Sequence, residues 1–300
     1  MQVPGPLKTL FSYFPLYTHP PLNAKENKTL QGPTIWARLS KTNNSADAVL
    51  SSDVECLKWQ AYLALRGLSG IRVRFDVDAQ GAIDGRLPNL HVPFDASATY
   101  SWSADNNKKS STGPIDDSTE LLSAPHIVEW VDAKLAHSAL DDAWEGYKDE
   151  AAKDESRAWV SLLEGNVHAA LLLSQPAQSF LESLLAPPSP PSTSLESILV
   201  PPPPPSTGFL SLLPSISSAT KISVFEKYPD AIKALSERLG TDKWFLGSEY
   251  PTPLDALTFA YLHCILQSSE AVRKEVTRRV NLVAWELRVR AMVKAAFNRA

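Results

Sequence analysis

The stretch from Thr252 to Leu266 sets the strictest condition on the fold. Its first four residues, Thr252-Pro253-Leu254-Asp255, have the spacing of a capping box, in which threonine and aspartate satisfy free amides of a first helical turn. Proline is harmless at the first helical position, because the amide there has no partner inside the helix. The following residues are nearly all apolar, so we expect a helix inside a helical core, with Thr252 and Asp255 as its structural cap.

Composition excludes several classes of protein. The chain has 300 residues, 44% hydrophobic and 21% charged, which is typical of a globular protein with one or two cores. Its 29 Lys and Arg against 33 Asp and Glu give a net charge of −4, which argues against a nucleic-acid binder. The two cysteines, Cys56 and Cys264, lie too far apart in the sequence for a short metal-ligand motif or a disulfide framework. We therefore predict neither a metal nor a cofactor, and a reducing compartment.

Proline is concentrated outside the expected cores. The chain has 24 Pro and 12 Gly, and ten of these prolines lie in residues 187–218 beside nine serines. We interpret 187–218 as a low-complexity insertion that cannot form a packed core, either a disordered surface loop or a docking segment. Residues 1–30 form an arm rich in proline and aromatic residues. The longest uncharged stretch is broken by prolines, so we expect no membrane-spanning helix.

Residues 31–139 have the element order of a small thioredoxin-like domain. The predicted strands are Thr34–Leu39, Ile71–Val77, Leu90–Phe94 and Tyr100–Trp102. A helix is predicted from Ser52 to a point between Gly67 and Gly70, and Ser52 and Glu55 have the spacing of a capping box at its start. A second helix is indicated between Asp117 and Leu135 by the apolar spacing of Ile127, Val128, Val131 and Leu135.

The remainder, residues 140–300, is predicted to be mostly helical. A thioredoxin-like α/β domain, an all-α domain and a Thr-x-x-Asp box on a buried helix together resemble the glutathione-transferase fold. That family has a cis-proline before its third strand. The matching segment here is Gly85-Arg86-Leu87-Pro88-Asn89-Leu90, so the resemblance makes Pro88 the candidate structural proline.

Transferase chemistry in that family needs a Tyr, Ser or Cys just after the first strand, and an acidic or Gln residue directly before a Ser. Here the first strand is followed by a long polar loop, which is poorly suited to fixing a catalytic hydroxyl. The later segment reads Leu122-Ser123, without the acidic partner. Cys56 falls in the first turn of a helix, where either the helix dipole lowers its pKa or burial makes it inert. We predict that the chain is not an enzyme and has no catalytic residue.

Two blocks of sequence resemble the metaxin family. Ser52-Asp53-Val54-Glu55-Cys56-Leu57, with Tyr62-Leu63 and Gly67, is similar to the opening of the first metaxin helix. The second block consists of Phe245-Leu246-Gly247, Pro251-Thr252-Pro253-Leu254-Asp255-Ala256-Leu257 and Tyr261-Leu262. The resemblance covers about residues 33–140 and 224–300. Within the family, the Leu90–Phe94 segment and the proline-rich insertion are most similar to the smaller fungal subunit of the mitochondrial sorting and assembly machinery (the SAM or TOB complex).

This resemblance implies a non-enzymatic protein that lies peripherally on the cytosolic face of the mitochondrial outer membrane. Its partners would be the β-barrel core subunit, a second metaxin-like subunit and the β-barrel precursors whose recognition and insertion it assists. It would reach the membrane surface through these partners and bind no nucleic acid. The alternative is a glutathione-transferase-like enzyme or a cytosolic glutathione-binding protein.

The C-terminal segment from Ala271 onward carries eight basic and two acidic residues. At helical spacing it has two apolar faces, of which one can face the core and the other a partner. The first face holds Val276, Val280, Val283 and Leu287. The second face, interpreted as a possible partner-facing surface, holds Leu282, Trp285, Val289 and Met292. Two short helices, or burial of both faces within the domain, are the alternatives.

Overall fold

A five-stranded sheet is built by the first half of the chain and by its last described residues. The computed structural model describes residues 32–38, 49–77, 79–93, 119–136, 145–175 and 218–299. The strands are β1 (Thr34–Trp36), β2 (Ile71–Arg74), β3 (Asn89–Pro93), β4 (Thr119–Ser123) and β5 (Phe297–Arg299). They lie in the order β4-β3-β1-β2-β5. The arm 1–30, the strand predicted at 100–102 and residues 187–217 of the predicted insertion lie outside the described residues.

The register of the sheet follows the alternation of apolar residues. Strand β1 pairs parallel with β2, where Ile35 lies opposite Val73, and antiparallel with β3, where Ile35 lies opposite Leu90. These three side chains are buried on one face of the sheet. Strands β3 and β4 are antiparallel. The fourth strand is therefore Thr119–Ser123. The helix predicted between Asp117 and Leu135 is wrong in its first part, because this segment pairs with β3 and the helix begins only at Ala124.

Eight α-helices lie in the described part of the chain. They are α1 (Val54–Leu65), α2 (Ala124–Ala136), α3 (Glu150–Leu162), α4 (His168–Ser174), α5 (Ser218–Leu239), α6 (Pro253–Leu266), α7 (Glu270–Thr277) and α8 (Val280–Ala296). A π-helical turn, Leu163–Val167, joins α3 to α4. The C-terminal segment consequently forms two helices, interrupted at Arg278 and Arg279, and then a short strand. None of the described helices is long and apolar enough to cross a membrane.

Helix α6 is the centre of the helical core. Every residue from Leu254 to Ile265 is buried. Helix α6 packs against α1, α7, α8 and the α3–α4 segment, so it joins the first helix of the sheet region to the helices of the second half. The predicted helix from Thr252 to about Leu266 is confirmed, and its uniform apolarity is explained by contacts on all sides.

The capping box predicted at Ser52 and Glu55 is wrong. The N-cap of α1 is Asp53, whose Oδ2 accepts a hydrogen bond of 3.1 Å from the Cys56 amide. The Ser51 hydroxyl accepts a bond of 3.1 Å from the Asp53 amide, so the chain enters the helix one residue later than predicted. Aspartate and serine are equally good N-cap residues, so the contacts around the turn decide which of the neighbours Ser52 and Asp53 takes this position.

Glu55 has a different role from the predicted one. Its carboxylate accepts hydrogen bonds from the Lys58 ammonium at 2.8 Å and from the Trp59 indole at 3.0 Å. These are contacts with residues three and four positions along the same exposed helix face. Glu55 therefore stabilises the surface of α1 and does not close its first turn.

The end of the chain completes one edge of the sheet. Strand β5 pairs parallel with β2, with Ile71 opposite Phe297, and the Gly70 amide donates to the Ala296 carbonyl at 2.9 Å. Phe297 is buried. The edge of β2 that β5 covers would otherwise present unpaired amides and carbonyls to other chains. Residues from Gly32 onward form one compact unit, and the predicted domain boundary between residues 139 and 140 stays a prediction.

Candidate functional site

The glutathione-transferase resemblance places a thiol-handling group just after the first strand, and the cysteine that follows this strand lies in the first turn of α1. Cys56 lies there with no exposed surface. The Arg38 amide, from the chain leaving β1, donates to its Sγ at 3.4 Å. Burial, reinforced by the negative charge of Asp53, raises the pKa of the Cys56 thiol well above its ordinary value. The thiol is therefore neutral and shielded at neutral pH. Of the two alternatives for Cys56, inertness through burial is correct and a pKa lowered by the helix dipole is not.

Hydroxyl groups in the loop before α1 are used to fix the loop. The buried Ser51 donates its hydroxyl to the Arg38 carbonyl at 2.7 Å, and its amide donates to Gln60 Oε1 at 2.9 Å. The carbonyl of Ser52 accepts a hydrogen bond from Cys264 Sγ at 3.2 Å, which ties the start of α1 to α6. Residues 39–48 of this loop lie outside the described residues.

We expect the two cysteines to be unreactive in the folded protein. Burial raises the pKa of both thiols, and only the thiolate attacks Ellman's reagent. At pH 8, fewer than about one thiol in ten should be labelled within an hour, whereas both should react at once in denaturant. Rapid labelling of one thiol in the native protein, abolished by Cys56→Ser and kept in Cys264→Ser, would contradict this account.

Pro88 precedes the third strand, as the resemblance implies, and the Leu87–Pro88 peptide bond is cis. The side chain of Asn89 holds the segment in place. Its Nδ2 donates to the Pro88 carbonyl at 3.1 Å, and its Oδ1 accepts from the Ile83 amide at 3.0 Å. Pro88 and Asn89 are both buried. The turn is therefore fixed by contacts within the chain.

The junction of β4 and α2 is where the family places an acidic residue and a serine. Leu122 occupies the acidic position. The hydroxyl of Ser123 lies 2.8 Å from Nδ1 of His126, one turn into α2. The hydrogen bond of Ser123 is therefore made within the first turn of α2. At the neighbouring position, the hydrophobic Leu122 replaces the carboxylate that would accept hydrogen bonds from an amino group.

The cap of α6 is confirmed in full. The Thr252 amide and hydroxyl donate to Asp255 Oδ2 at 2.8 and 2.7 Å, and the Asp255 amide donates to Thr252 Oγ1 at 3.3 Å. The second carboxylate oxygen, Oδ1, accepts from the Phe245 amide at 2.9 Å. Burial raises the pKa of Asp255 to about 6, against the opposing effect of these hydrogen bonds. Thr252 and Asp255 are therefore a structural pair, as predicted.

Gly146 allows the chain to pass close to this cap. It adopts a positive φ of +89°, and a Cβ atom at this position would lie 2.6 Å from the Pro251 carbonyl oxygen. The neighbouring Tyr147 accepts a hydrogen bond of 3.3 Å at its hydroxyl from the Leu254 amide. The start of α6 is thereby supported by the segment before α3, more than a hundred positions earlier in the sequence.

A buried acid between α6 and α8 was missed by the sequence analysis. Glu286 has no exposed surface, and its carboxylate accepts from His263 Nδ1 at 2.7 Å and from Arg290 at 2.6 and 3.1 Å. Gln267 Nε2 lies 2.6 Å from the other ring nitrogen of His263. Burial alone would raise the pKa of Glu286, but the hydrogen bonds from His263 and Arg290 outweigh it and lower the pKa. The network joins the central helix to the C-terminal one.

The face of α8 predicted to meet a partner is mostly buried. Leu282, Trp285 and Val289 lie in the core, and the Trp285 indole donates to the Lys243 carbonyl at 3.0 Å. Of the four predicted residues only Met292 is exposed, at 43%. This part of the prediction is wrong because the apolar spacing defines two faces and does not say which of them the core takes.

In the described ranges, no group of three or more His, Cys, Asp and Glu side chains is placed to hold a metal ion. At the α1 start, the Pro88 turn and the β4–α2 junction, hydrogen bonds within the chain engage Cys56, Ser51, Asn89 and Ser123. The three predicted structural positions at Pro88, Thr252 and Asp255 occur where the resemblance implies.

Comparison with known proteins gives one family match. The family model described as "Glutathione S-transferase, C-terminal domain" matches residues 228–289, which include the end of α5, all of α6 and α7 and the first half of α8. A search of curated proteins finds no match to the chain.

Solved structures similar to this chain share little of its sequence. A GST-like protein from Pseudomonas syringae is 12% identical, with 90% of this chain and 70% of that chain covered and a TM-score of 0.48. A glutathione transferase family member from Pseudomonas fluorescens, solved with two glutathione molecules bound, is 10% identical, with 90% and 96% covered and a TM-score of 0.48. Ure2p in complex with glutathione is 11% identical, with 98% and 99% covered and a TM-score of 0.46. The family-model match, the strand order and the capped central helix establish that this chain has a glutathione-transferase-like fold, a thioredoxin-like sheet region followed by a helical region.

Proposed function

We propose that this chain is a metaxin-like, non-enzymatic subunit of the mitochondrial outer-membrane sorting and assembly machinery. It lies peripherally on the cytosolic face of the membrane, binds the β-barrel core subunit and a second metaxin-like subunit, and assists recognition and insertion of β-barrel precursors. It acts by shape and contact and has no turnover.

The observation that carries the proposal is the placement of the two metaxin-like sequence blocks. The first block lies along α1 and the second spans the turn before α6 and α6 itself. These two helices pack directly on each other, and the Ser52 carbonyl in the first block accepts a hydrogen bond from Cys264 on α6. The two helices that carry most of the resemblance are therefore packed against each other as one unit.

The non-enzymatic part of the proposal is supported by the state of Cys56. This thiol stands at the start of α1, is fully buried, and has a raised pKa. Among the nearby hydroxyl groups, those of Ser51 and Ser123 form hydrogen bonds with the Arg38 carbonyl and with His126. A group that has to hold a glutathione thiolate must be accessible to solvent and must stabilise negative charge.

Purification with the partner subunits tests the proposal. The affinity-tagged full chain is incubated with detergent-solubilised β-barrel core subunit and second metaxin-like subunit, and the bound fraction is measured. We expect a stable ternary complex and, in mitochondria lacking the endogenous subunit, restored assembly of an imported β-barrel precursor on native gels. The Asp255→Ala chain, which we expect to fold poorly, is the control for binding that does not depend on the fold.

The same preparation distinguishes the alternative function. Retention on glutathione resin together with measurable conjugation of glutathione to 1-chloro-2,4-dinitrobenzene would favour a transferase and contradict the proposal. A chain that stays monomeric beside the core subunit and does not restore precursor assembly would contradict it as well.

A further inference from the structure

Helix α8 presents an apolar stripe to solvent on the face opposite the predicted one. We define the α8 stripe as Val280, Ala284, Leu287 and Ala291, all of which are exposed. Val280 is 79% and Leu287 51% exposed, which makes them two of the most exposed large hydrophobic side chains in the described residues. Their spacing of four, three and four positions places all four within an arc of about 60° on the helix. This alternation is that of the seam along which two helices pack.

The charges beside the α8 stripe have one sign. Arg288 lies on one side of the stripe, and Lys294 and Arg290 lie on the other, while Arg278 and Arg279 precede its first residue. The acidic residue of α8, Glu286, lies on the buried face and is engaged with His263 and Arg290. Arg288 is held in place by donating to the Lys243 carbonyl, and its guanidinium lies over the Trp244 ring. An apolar seam with basic residues on both edges is complementary to a seam with negative edges.

We propose that the α8 stripe docks an amphipathic helix of a partner protein that has an apolar seam with acidic residues on both sides. In this arrangement, Val280 and Leu287 pack between side chains of the partner helix, and the two alanines let the helix backbones approach closely. Glutamates of the partner then pair with Arg288 and Lys294 at the rim of the contact. The proposal depends on α8 alone and not on the function proposed above.

Two other occupants fit the surface less well. A second copy of this chain would bring Arg288 and Lys294 against the same two residues, because both edges of the stripe are basic. An anionic bilayer suits the charge, but helices that lie in a membrane surface bury bulky Trp, Phe and Leu side chains. The α8 stripe has one leucine, one valine and two alanines, which is a shallow surface suited to another helix.

The probe for this surface is a pair of synthetic helical peptides of about six turns, labelled with fluorescein at one end. Both have leucine and alanine alternating along the seam, and one has glutamates and the other lysines on its flanks. We expect the acidic peptide to raise its fluorescence anisotropy on titration with the full chain, and the lysine peptide to bind at least about tenfold more weakly. Raising the salt concentration from about 50 to about 500 mM should weaken the binding of the acidic peptide several-fold.

Two matched variants on the same helix locate the contact. Leu287→Asp, at the centre of the stripe, should weaken binding of the acidic peptide at least about tenfold. Met292→Asp, at a similarly exposed apolar position off the stripe, should leave the affinity for the acidic peptide within about twofold of the wild-type value. Lys294→Glu should reduce the preference for the acidic over the lysine peptide. Because all three positions are exposed, circular dichroism should show unchanged folding.

Several results would overturn the proposal. Equal affinity of the acidic peptide for the wild type and Leu287→Asp would remove the α8 stripe as its site. Sedimentation that shows a dimer of the full chain, lost in Leu287→Asp, would assign the stripe to a second copy. If the wild-type chain floats with phosphatidylserine vesicles, Leu287→Asp does not, and neither binds the acidic peptide, the α8 stripe would be assigned to a membrane surface.

Discussion

Replacing Asp255 with alanine is expected to lower the free energy of unfolding by about 3–5 kcal/mol, the largest loss of any single substitution that we consider. The carboxylate is fully buried and accepts three hydrogen bonds, from the Phe245 amide and from the Thr252 amide and hydroxyl. Without it, two buried amides are unsatisfied, at about 1–3 kcal/mol each, and the first turn of the central helix loses its cap. Urea denaturation at neutral pH, followed by circular dichroism, measures the loss.

Two further variants separate the cap from a general effect of removing an acid. In Asp255→Asn the amide oxygen still accepts from Phe245, but the amino group faces the Thr252 amide, so we expect an intermediate loss of about 2 kcal/mol. Glu249→Ala removes an exposed acid from the adjoining turn and should change stability by less than about 0.5 kcal/mol. A loss below about 1 kcal/mol for Asp255→Ala would show that the cap is not a main support of α6.

The cap of α6 could be predicted because its determinants are local. Threonine, proline and aspartate occupy adjacent positions, and the apolar run that follows can only be a helix in a core. The start of α1 was harder, because Ser52 and Asp53 are both good caps and tertiary contacts choose between them. Cys264 on α6 binds the Ser52 carbonyl, and the Ser51 hydroxyl binds the Asp53 amide. The Cys264 contact joins residues more than two hundred positions apart, so nearby sequence positions do not record it.

The sheet and the C-terminal helix show where sequence reasoning has no local signal to use. Strand β5 exists because Phe297 and its neighbours pair with β2, more than two hundred positions earlier in the chain. The burial of Cys56 depends on where the chain leaves β1, since the Arg38 amide lies against its sulfur. On α8, the face that holds Glu286 is the one that packs inward. Its charge is accommodated because His263 lies opposite it on α6 and Arg290 follows one turn later on α8. The pattern of apolar residues on α8 does not record the His263 partner.

Replacing Glu286 with alanine is expected to cost about 3 kcal/mol at neutral pH, since it leaves the buried His263 without its acceptor and removes the partner of the half-buried Arg290. The measurement is the free energy of unfolding from denaturant titrations between about pH 3 and pH 8. A double-mutant cycle with Arg290→Met isolates the Glu286–Arg290 pair, and the coupling between the two should exceed about 1 kcal/mol. Val283→Ala, at a half-buried apolar position on the same helix, is the control for loss of packing alone.

The pH dependence of the free energy of unfolding shows whether Glu286 stabilises the protein through its charge or through the space that it fills. The pKa of Glu286 is lower in the folded protein than its ordinary value of 4.5, so the folded state binds the proton more weakly than the unfolded chain does. Its contribution to stability is therefore fully present above about pH 4.5 and is lost as the pH falls through the lower folded pKa. Glu286→Gln keeps the shape and removes this ionisation, so its stability loss relative to the wild type should shrink as the pH falls. A loss that is constant from pH 8 to pH 3 would mean that Glu286 joins α6 to α8 by packing and not by its charge.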